Sequence, residues 1–417
     1  MTFDQFSNDL FYLWPEIFLA LAGFALLLYS AFTDNRRSKF VFTGTIISFI
    51  LAGLLLASRA GDGTPLLNGL WIEDTLSWVT DLLILAAGAI GLMIALPWIK
   101  QDGLDKGEFA ILTLFAVIGC MTMVSANHFM TLYIGIELQS LCFYTLLAFQ
   151  RQNIRASEAS LKYFILSAIA SGISLYGISL IYGATGDLTF GAVADAIAGG
   201  MTSYPLLMAG LIGVVVGLVF KLSLVPFHMW TPDVYQGGPL PVVLLMASLP
   251  KMAAAVLLYR VLFGVFGDLT GFWQPMVIFL AAGSVILGGF AAIPQQNIKR
   301  LIGYSTIGQF GYVMIGLAAA SEFGATAGYF YLLVYIISTI GLFAVLNGLR
   351  QDGFVIDRID DLSGLAQLSP ARAFQLSAIL FSLTGIPPLA GFLSKFLVFS
   401  AAVSAGLITL TIIGVLA

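Results

Sequence analysis

Twelve stretches of about 18 or more apolar residues run through this chain, near 12–32, 40–58, 76–98, 109–126, 128–149, 158–183, 204–227, 239–262, 273–293, 299–319, 324–349 and 373–404. A thirteenth begins near Gly406. Each is long enough to cross a bilayer as a helix, and no water-soluble core could cover so many. With 59% hydrophobic and 10% charged residues among 417, the chain reads as an all-α polytopic membrane protein. Its first apolar run follows acidic rather than basic residues and is long enough to span, so a retained first span is expected rather than a cleaved leader. Cys120 and Cys142 lie inside apolar segments, away from any CxxC or Cys/His cluster. They read as buried packing, not as disulfide or metal chemistry. No Walker or dinucleotide fingerprint occurs, so neither nucleotide nor nucleic acid is an expected ligand.

In a membrane protein the position of charge says more than its sum. Twelve lysines and arginines, from Arg36, Arg37 and Lys39 through Arg372, fall in connections on one side of the spans, and only Arg59 and Arg260 fall on the other. The basic side is therefore expected to be cytoplasmic, which puts the N-terminus outside. Four of the 18 cationic residues remain, Lys162, Lys221, Lys251 and Lys395, all within spans. An amine at the bilayer centre costs about 2.5–3.5 kcal/mol on translocon scales, so each needs a reason. Among the 22 acids, Glu137 stands out in the middle of MTLYIGIELQSLCFYTLLAF. Lys162 has two open readings: it snorkels to the interface beside Glu158, one helical turn earlier, or it takes part in function. Snorkelling accounts poorly for Lys251 and only partly for Lys395, so these two, with Lys221 and Glu137, are the candidate functional residues.

Two spans should break. The Lys221 span, continued through VPFHMWTPDVY, is overlong for a bilayer, and Pro226 removes a backbone donor while clashing with the carbonyl four residues earlier. Irregular backbone at membrane depth is tolerated only where protein or a water-filled cavity covers it, so a prolyl break beside a buried lysine points to a hydrated internal site. The combination recurs in FSLTGIPPLAGFLSKFLVF, where Gly385, Pro387 and Pro388 interrupt the span and Lys395 follows. Paired interruptions in two parts of an apolar chain are a mark of transporters with inverted repeats. His228, beside the first break, is a candidate proton relay, whereas His128 reads as an interfacial polar residue. Gly213 and Gly217, four apart, and the 44 glycines in all suggest close helix packing.

Glu137, GLVFKLSLVPFHMWTPDVYQGGPLPV around Lys221, ASLPKMAA around Lys251, NIKRLIGYSTIGQFGYV and TGIPPLAGFLSKF together resemble the antiporter-like membrane subunits of proton-pumping NADH:quinone oxidoreductase, respiratory complex I. The resemblance covers essentially the whole chain. It implies an antiporter-like fold of three N-terminal helices (1–108) and two inverted five-helix repeats (109–262 and 273–417), each containing a broken helix. It also implies that Glu137 partners Lys221, that Lys251 links two half-channels, and that Lys395 serves proton exchange in the second half. No cofactor is implied for this chain; NADH, flavin mononucleotide (FMN), iron–sulfur clusters and quinone belong to partner subunits of the complex. The family pattern has further helices, and the chain stops inside the apolar GLITLTIIGVLA, so the second repeat is expected to be incomplete. A multi-subunit cation/proton exchanger shares the broken helices and the Lys/Glu pair and stands as the rival reading. A non-transporting bundle with ion-paired lysines is a third.

Overall fold

The computed structural model describes residues 9–33, 38–58, 61, 63–101, 106–200, 205–351 and 354–417. Arg36, Arg37 and Arg59, used above to orient the chain, lie outside the described residues. The helices are α1 (Trp14–Phe32), α2 (Ser38–Ala57), α3 (Thr75–Gln101), α4 (Glu108–Val124), α5 (Phe129–Leu147), α6 (Ile154–Thr185), α7 (Phe190–Ala198), α8 (Pro205–Leu222), α9 (Trp230–Gly237), α10 (Leu240–Tyr259), α11 (Thr270–Ala292), α12 (Ile298–Ala318), α13 (Glu322–Asn347), α14 (Leu365–Leu368), α15 (Pro370–Thr384), α16 (Ala390–Ser404) and α17 (Ile408–Leu416). Two small antiparallel ribbons, β1 (Pro65–Leu66) with β2 (Trp71–Ile72) and β3 (Arg350–Gln351) with β4 (Phe354–Val355), complete the elements. Among the described residues, ten helical segments are long and apolar enough to cross a membrane. The chain is a multi-pass membrane protein.

Polar residues mark where the helices start and stop. Asn153 accepts from the backbone N–H groups of Arg155 and Ala156 at the head of α6. Asn297 does the same for Arg300 at the head of α12, and Ser321 for Gly324 at the head of α13. These side chains satisfy donors that a helix N-terminus leaves without an internal partner. His128 caps α5, its Nδ1 accepting from Met130 N–H at 3.0 Å, a structural use of a ring at a span end. Gly186, at φ 75°, closes α6 in the left-handed conformation that glycine enters without steric cost.

The chain divides into two compact units, Met1–Leu218 with Leu249–Asp268, and Val219–Ser248 with Leu269–Ala417. Within the first, α1 to α4 pack on one another, α4 on α5 and α5 on α6. Gly177 of α6 lies so close to α8 that a Cβ there would fall 2.7 Å from the Gly210 carbonyl oxygen. Within the second, α12 packs against α9, α11, α13 and α16, and its apolar window is 83% buried, against 22% for α1. Helix α12 is thus a central column of its unit, whereas α1 turns its side chains outward, as a lipid-facing helix does. Gly288 permits that centre: a Cβ would sit 2.4 Å from the Gly308 backbone nitrogen. Small residues at such crossings let helices gain packing contact where lipid removes the hydrophobic drive. Gly288→Val is expected to force α11 away from α12 and to destabilise the chain by about 1–3 kcal/mol, the usual cost of overpacking, read as a lower thermal unfolding midpoint in detergent.

Candidate functional site

Both expected breaks are present. Helix α8 ends at Leu222, directly after Lys221, and the backbone turns at Ser223 with φ 64°. Residues 223–229 carry the chain past Pro226 to α9. The groups freed by the interruption find partners: the Trp230 indole N–H donates to the Phe220 carbonyl at 2.9 Å, and Val225 N–H donates to Ser284 Oγ at 2.9 Å. The Thr231 hydroxyl donates to Ser223 Oγ at 2.5 Å. Lys221 is 3% exposed. His228 is half-buried within the break, and its Nδ1 has no hydrogen-bond partner among the described residues.

At the second break, α15 ends at Thr384 and Gly385 follows at φ 91°. Its amide and that of Ile386 both donate back to the Phe381 carbonyl. The chain re-enters helix at Ala390, and a Cβ at Gly391 would lie 1.7 Å from the Ser382 carbonyl oxygen, so only glycine lets the two half-helices overlap this closely. Lys395 Nζ donates to the Thr384 carbonyl at 3.1 Å and stands 4.3 Å from the centre of the Tyr312 ring. It lines a half-open cavity of about 850 Å³ with Gln309, Tyr312, Thr384 and Gly385. Gln309 donates to the Leu383 carbonyl at 3.2 Å and accepts from the Tyr331 hydroxyl.

The two breaks share an electrostatic arrangement that their sequences hide. Lys221 precedes its break and Lys395 follows its own, yet Lys221 occupies the last turn of α8, and Lys395 reaches back to the last carbonyl of α15. Lys221, by its place in the last turn, and Lys395, by its bond to the last carbonyl, are thus both set at the carbonyl end of a half-helix, where the aligned peptide dipoles favour positive charge.

Glu137, on α5, is half-buried and accepts a hydrogen bond from the Ser171 hydroxyl of α6, which also lies 3.3 Å from Tyr133 Oη. Lys251 follows Pro250 inside α10 and is fully buried. Lys162 pairs with Glu158 at 2.8 Å with both side chains well exposed, at 42% and 59%, as an interfacial lysine would. Glu137, Lys162 and Lys251 belong to the first unit; Lys221, His228 and Lys395 belong to the second.

A further polar cluster ties the first break to the head of α12. Arg300 pairs with Asp233 of α9 at 2.5 Å, reaches Gln236 at 3.2 Å and lies 5.7 Å from the Tyr304 ring centre. Lys299 contacts the Gly238 carbonyl at 3.4 Å and Asp357 at 3.5 Å. The TPDVYQGG and NIKRLIGY stretches, some 60 residues apart in sequence, thus interlock. Ser171, Trp230, Tyr312 and Gln309 were not singled out from sequence. As single polar or aromatic residues in apolar runs they carry no signal until the helices are paired. Among the described residues, no group of three or more His, Cys, Asp or Glu could hold a metal ion.

Two interrupted membrane helices with a lysine at each break define an antiporter-like polytopic membrane protein. A family profile described as NADH:quinone oxidoreductase/Mrp antiporter, transmembrane, matches residues 126–417. NADH-quinone oxidoreductase subunit N of Paramagnetospirillum magneticum is 46% identical over 413 residues, 98% of this chain and 85% of that protein. A chain of respiratory complex I from Thermus thermophilus superposes with a TM-score of 0.81 at 34% identity, over 96% of this chain and 86% of that one. A chain of the Mrp complex from Dietzia sp. shares the fold alone, with a TM-score of 0.83 at 22% identity over 100% and 77%. The chain belongs to the NADH-quinone oxidoreductase subunit N family.

The Arg300–Asp233 pair carries a direct expectation. Asp233→Asn removes a charge-assisted bond from a short helix and should weaken α9 by about 1–2 kcal/mol. Hydrogen exchange of the 230–237 amides should then quicken several-fold while the core of α12 stays protected.

Proposed function

We propose that this chain is a proton-translocating membrane subunit of an NADH:quinone oxidoreductase. Lys221 is the switched proton carrier, Glu137 its modulator, Lys251 and His228 the hydrated link, and Lys395 the exchange site of the second half-channel. Lys162 has at most an interfacial share in loading protons. The reading extends to the antiporter-like pair of repeats and to an N-terminus on the periplasmic side. NADH oxidation, FMN, the iron–sulfur clusters and the quinone reaction belong to the partner subunits, and this chain supplies no redox centre.

The observation that carries the proposal is the shared position of Lys221 and Lys395 at the carbonyl ends of interrupted helices. An amine held there can load and release a proton without the backbone rearranging, because the helix dipole and the capped carbonyls are already in place. Control then needs only a modest change nearby. A carboxylate about 6 Å from an ammonium favours the charged form by about 2.8 kcal/mol at an effective dielectric near 20, and doubling the distance halves the effect. A shift of a few ångströms in a partner such as Glu137, held by Ser171, is thus enough to bias proton loading. No substrate needs to bind in this chain.

Lys221→Met removes the amine while keeping an apolar side chain of similar length. The complex should assemble and co-purify with NADH dehydrogenase activity, while protons pumped per NADH oxidised fall or vanish in reconstituted vesicles. Wild-type pumping stoichiometry in that variant would contradict the assignment, and absence of NADH dehydrogenase from the purified assembly would contradict the partner.

A further inference from the structure

The first unit holds a second group of buried charges, remote in sequence from the lysines of either break. Asp81, two turns into α3, is fully buried; Glu73, in the turn before α3, is 3% exposed; Glu16, in the first turn of α1, is 8% exposed. Asp81 interacts electrostatically with both Glu73 and Glu16. Asp81 Oδ2 accepts from the Ser125 hydroxyl at 3.2 Å, while Asp81 Oδ1 and Glu73 Oε1 have no hydrogen-bond partner among the described residues. The Trp71 indole, on a side chain 7% exposed, turns its N–H toward the Glu73 carboxyl and finds no other partner among the described residues.

Among the described residues, the cation facing Glu73 and Asp81 is Arg260, and its donors are committed elsewhere. Its Nη1 and Nη2 grip Asp74 Oδ2 and Oδ1 at 2.8 and 2.6 Å, Nη2 also meets Ser77 Oγ at 2.6 Å, and Nε meets the Val124 carbonyl at 2.8 Å. Asp74 in turn caps α3 by accepting from Ser77 N–H at 2.8 Å. Burial works against ionisation of Asp74, but the hydrogen bonds and charge of Arg260 hold its carboxyl below the usual range. One guanidinium thus neutralises one carboxylate. Two further carboxyl groups, buried beside it with an unpartnered oxygen each, cannot both stay ionised without a further partner, since isolated buried charge is among the costliest things a fold can contain.

We infer that Glu73 and Asp81, with Glu16 alongside, form a proton-binding site that holds at least one proton between them. The ligand is the proton itself, which removes one negative charge from the buried group, while the Trp71 N–H favours the ionised form of Glu73. Burial pushes Glu73 up to about 7; Trp71 and Arg260 oppose that push, and Asp74 adds to it. Arg260 follows directly on α10, nine residues after Lys251, about 13 Å along a helix at 1.5 Å per residue. The site therefore stands at the end of the same helix that carries a buried amine. Its proton binding does not depend on the lysine relay.

Infrared difference spectra of the purified, lipid-reconstituted assembly, recorded while the pH is raised from about 5 to about 9 around the site's midpoint, test the inference. Wild type should show a protonated-carboxyl C=O band that bleaches with a midpoint near 7, and Glu73→Gln should lack it. Trp71→Phe, which keeps the packing and deletes the N–H, should move the midpoint upward; it also serves where Glu73→Gln fails to assemble. Identical spectra in wild type and both variants would overturn the inference, as would a midpoint in the ordinary carboxylate range of about 4–5. A midpoint displaced on exchanging potassium for sodium or on adding magnesium would mean that a metal cation occupies the site, and would overturn it too.

Discussion

The structure depends on one constraint: inside a bilayer, a helix can be interrupted only where every freed backbone group finds another partner. At the first break those partners are Trp230, whose indole reaches the Phe220 carbonyl, and Ser284, which takes the Val225 amide. At the second, the amides of Gly385 and Ile386 fold back on Phe381, and Lys395 itself takes the Thr384 carbonyl. The cost of breaking a helix is thus met by side chains whose placement also makes a polar interior. An amine at the resulting carbonyl end is in the place where a membrane helix tolerates positive charge best.

That constraint explains which parts of the fold were legible in sequence. Pro226 beside Lys221, and Gly385–Pro388 ahead of Lys395, are local chemistry, so the breaks fall at residues 223–229 and 385–389, where the prolines indicate. The span positions were legible for the same reason, since about twenty apolar residues suffice to define one. What was not legible is whatever requires two helices to meet. That Lys395 turns back onto Thr384, and so serves a half-helix carbonyl end from the far side of its break, depends on Gly391 letting two segments overlap. Ser171 becomes the partner of Glu137 only once α5 and α6 are side by side.

The acids give the sharpest contrast. Glu137 is conspicuous in sequence because it stands alone in an apolar run, yet it is only half-buried. Asp81 is buried outright, but it sits close enough to a span end to read as interfacial, and its companions Glu73 and Glu16 lie in a turn and at a helix start. Their convergence is produced by the packing of α1 against its neighbours and by the β1–β2 ribbon, which sets Trp71 and Glu73 beside α3. Arg260 looked like an ordinary loop cation; in the fold it is locked to Asp74 and to the Val124 carbonyl.

The central claim is that the amines at and between the breaks move protons and do not merely hold the bundle together. Lys251 separates the two most cleanly, because it is fully buried in α10 and belongs to neither break. The decisive measurement is the ratio of protons translocated to NADH oxidised in vesicles containing Lys251→Ala complex with normal subunit content. The account predicts that the ratio drops while assembly is unchanged. An unchanged ratio, with assembly intact, would contradict it and leave the lysines as structural members of the bundle.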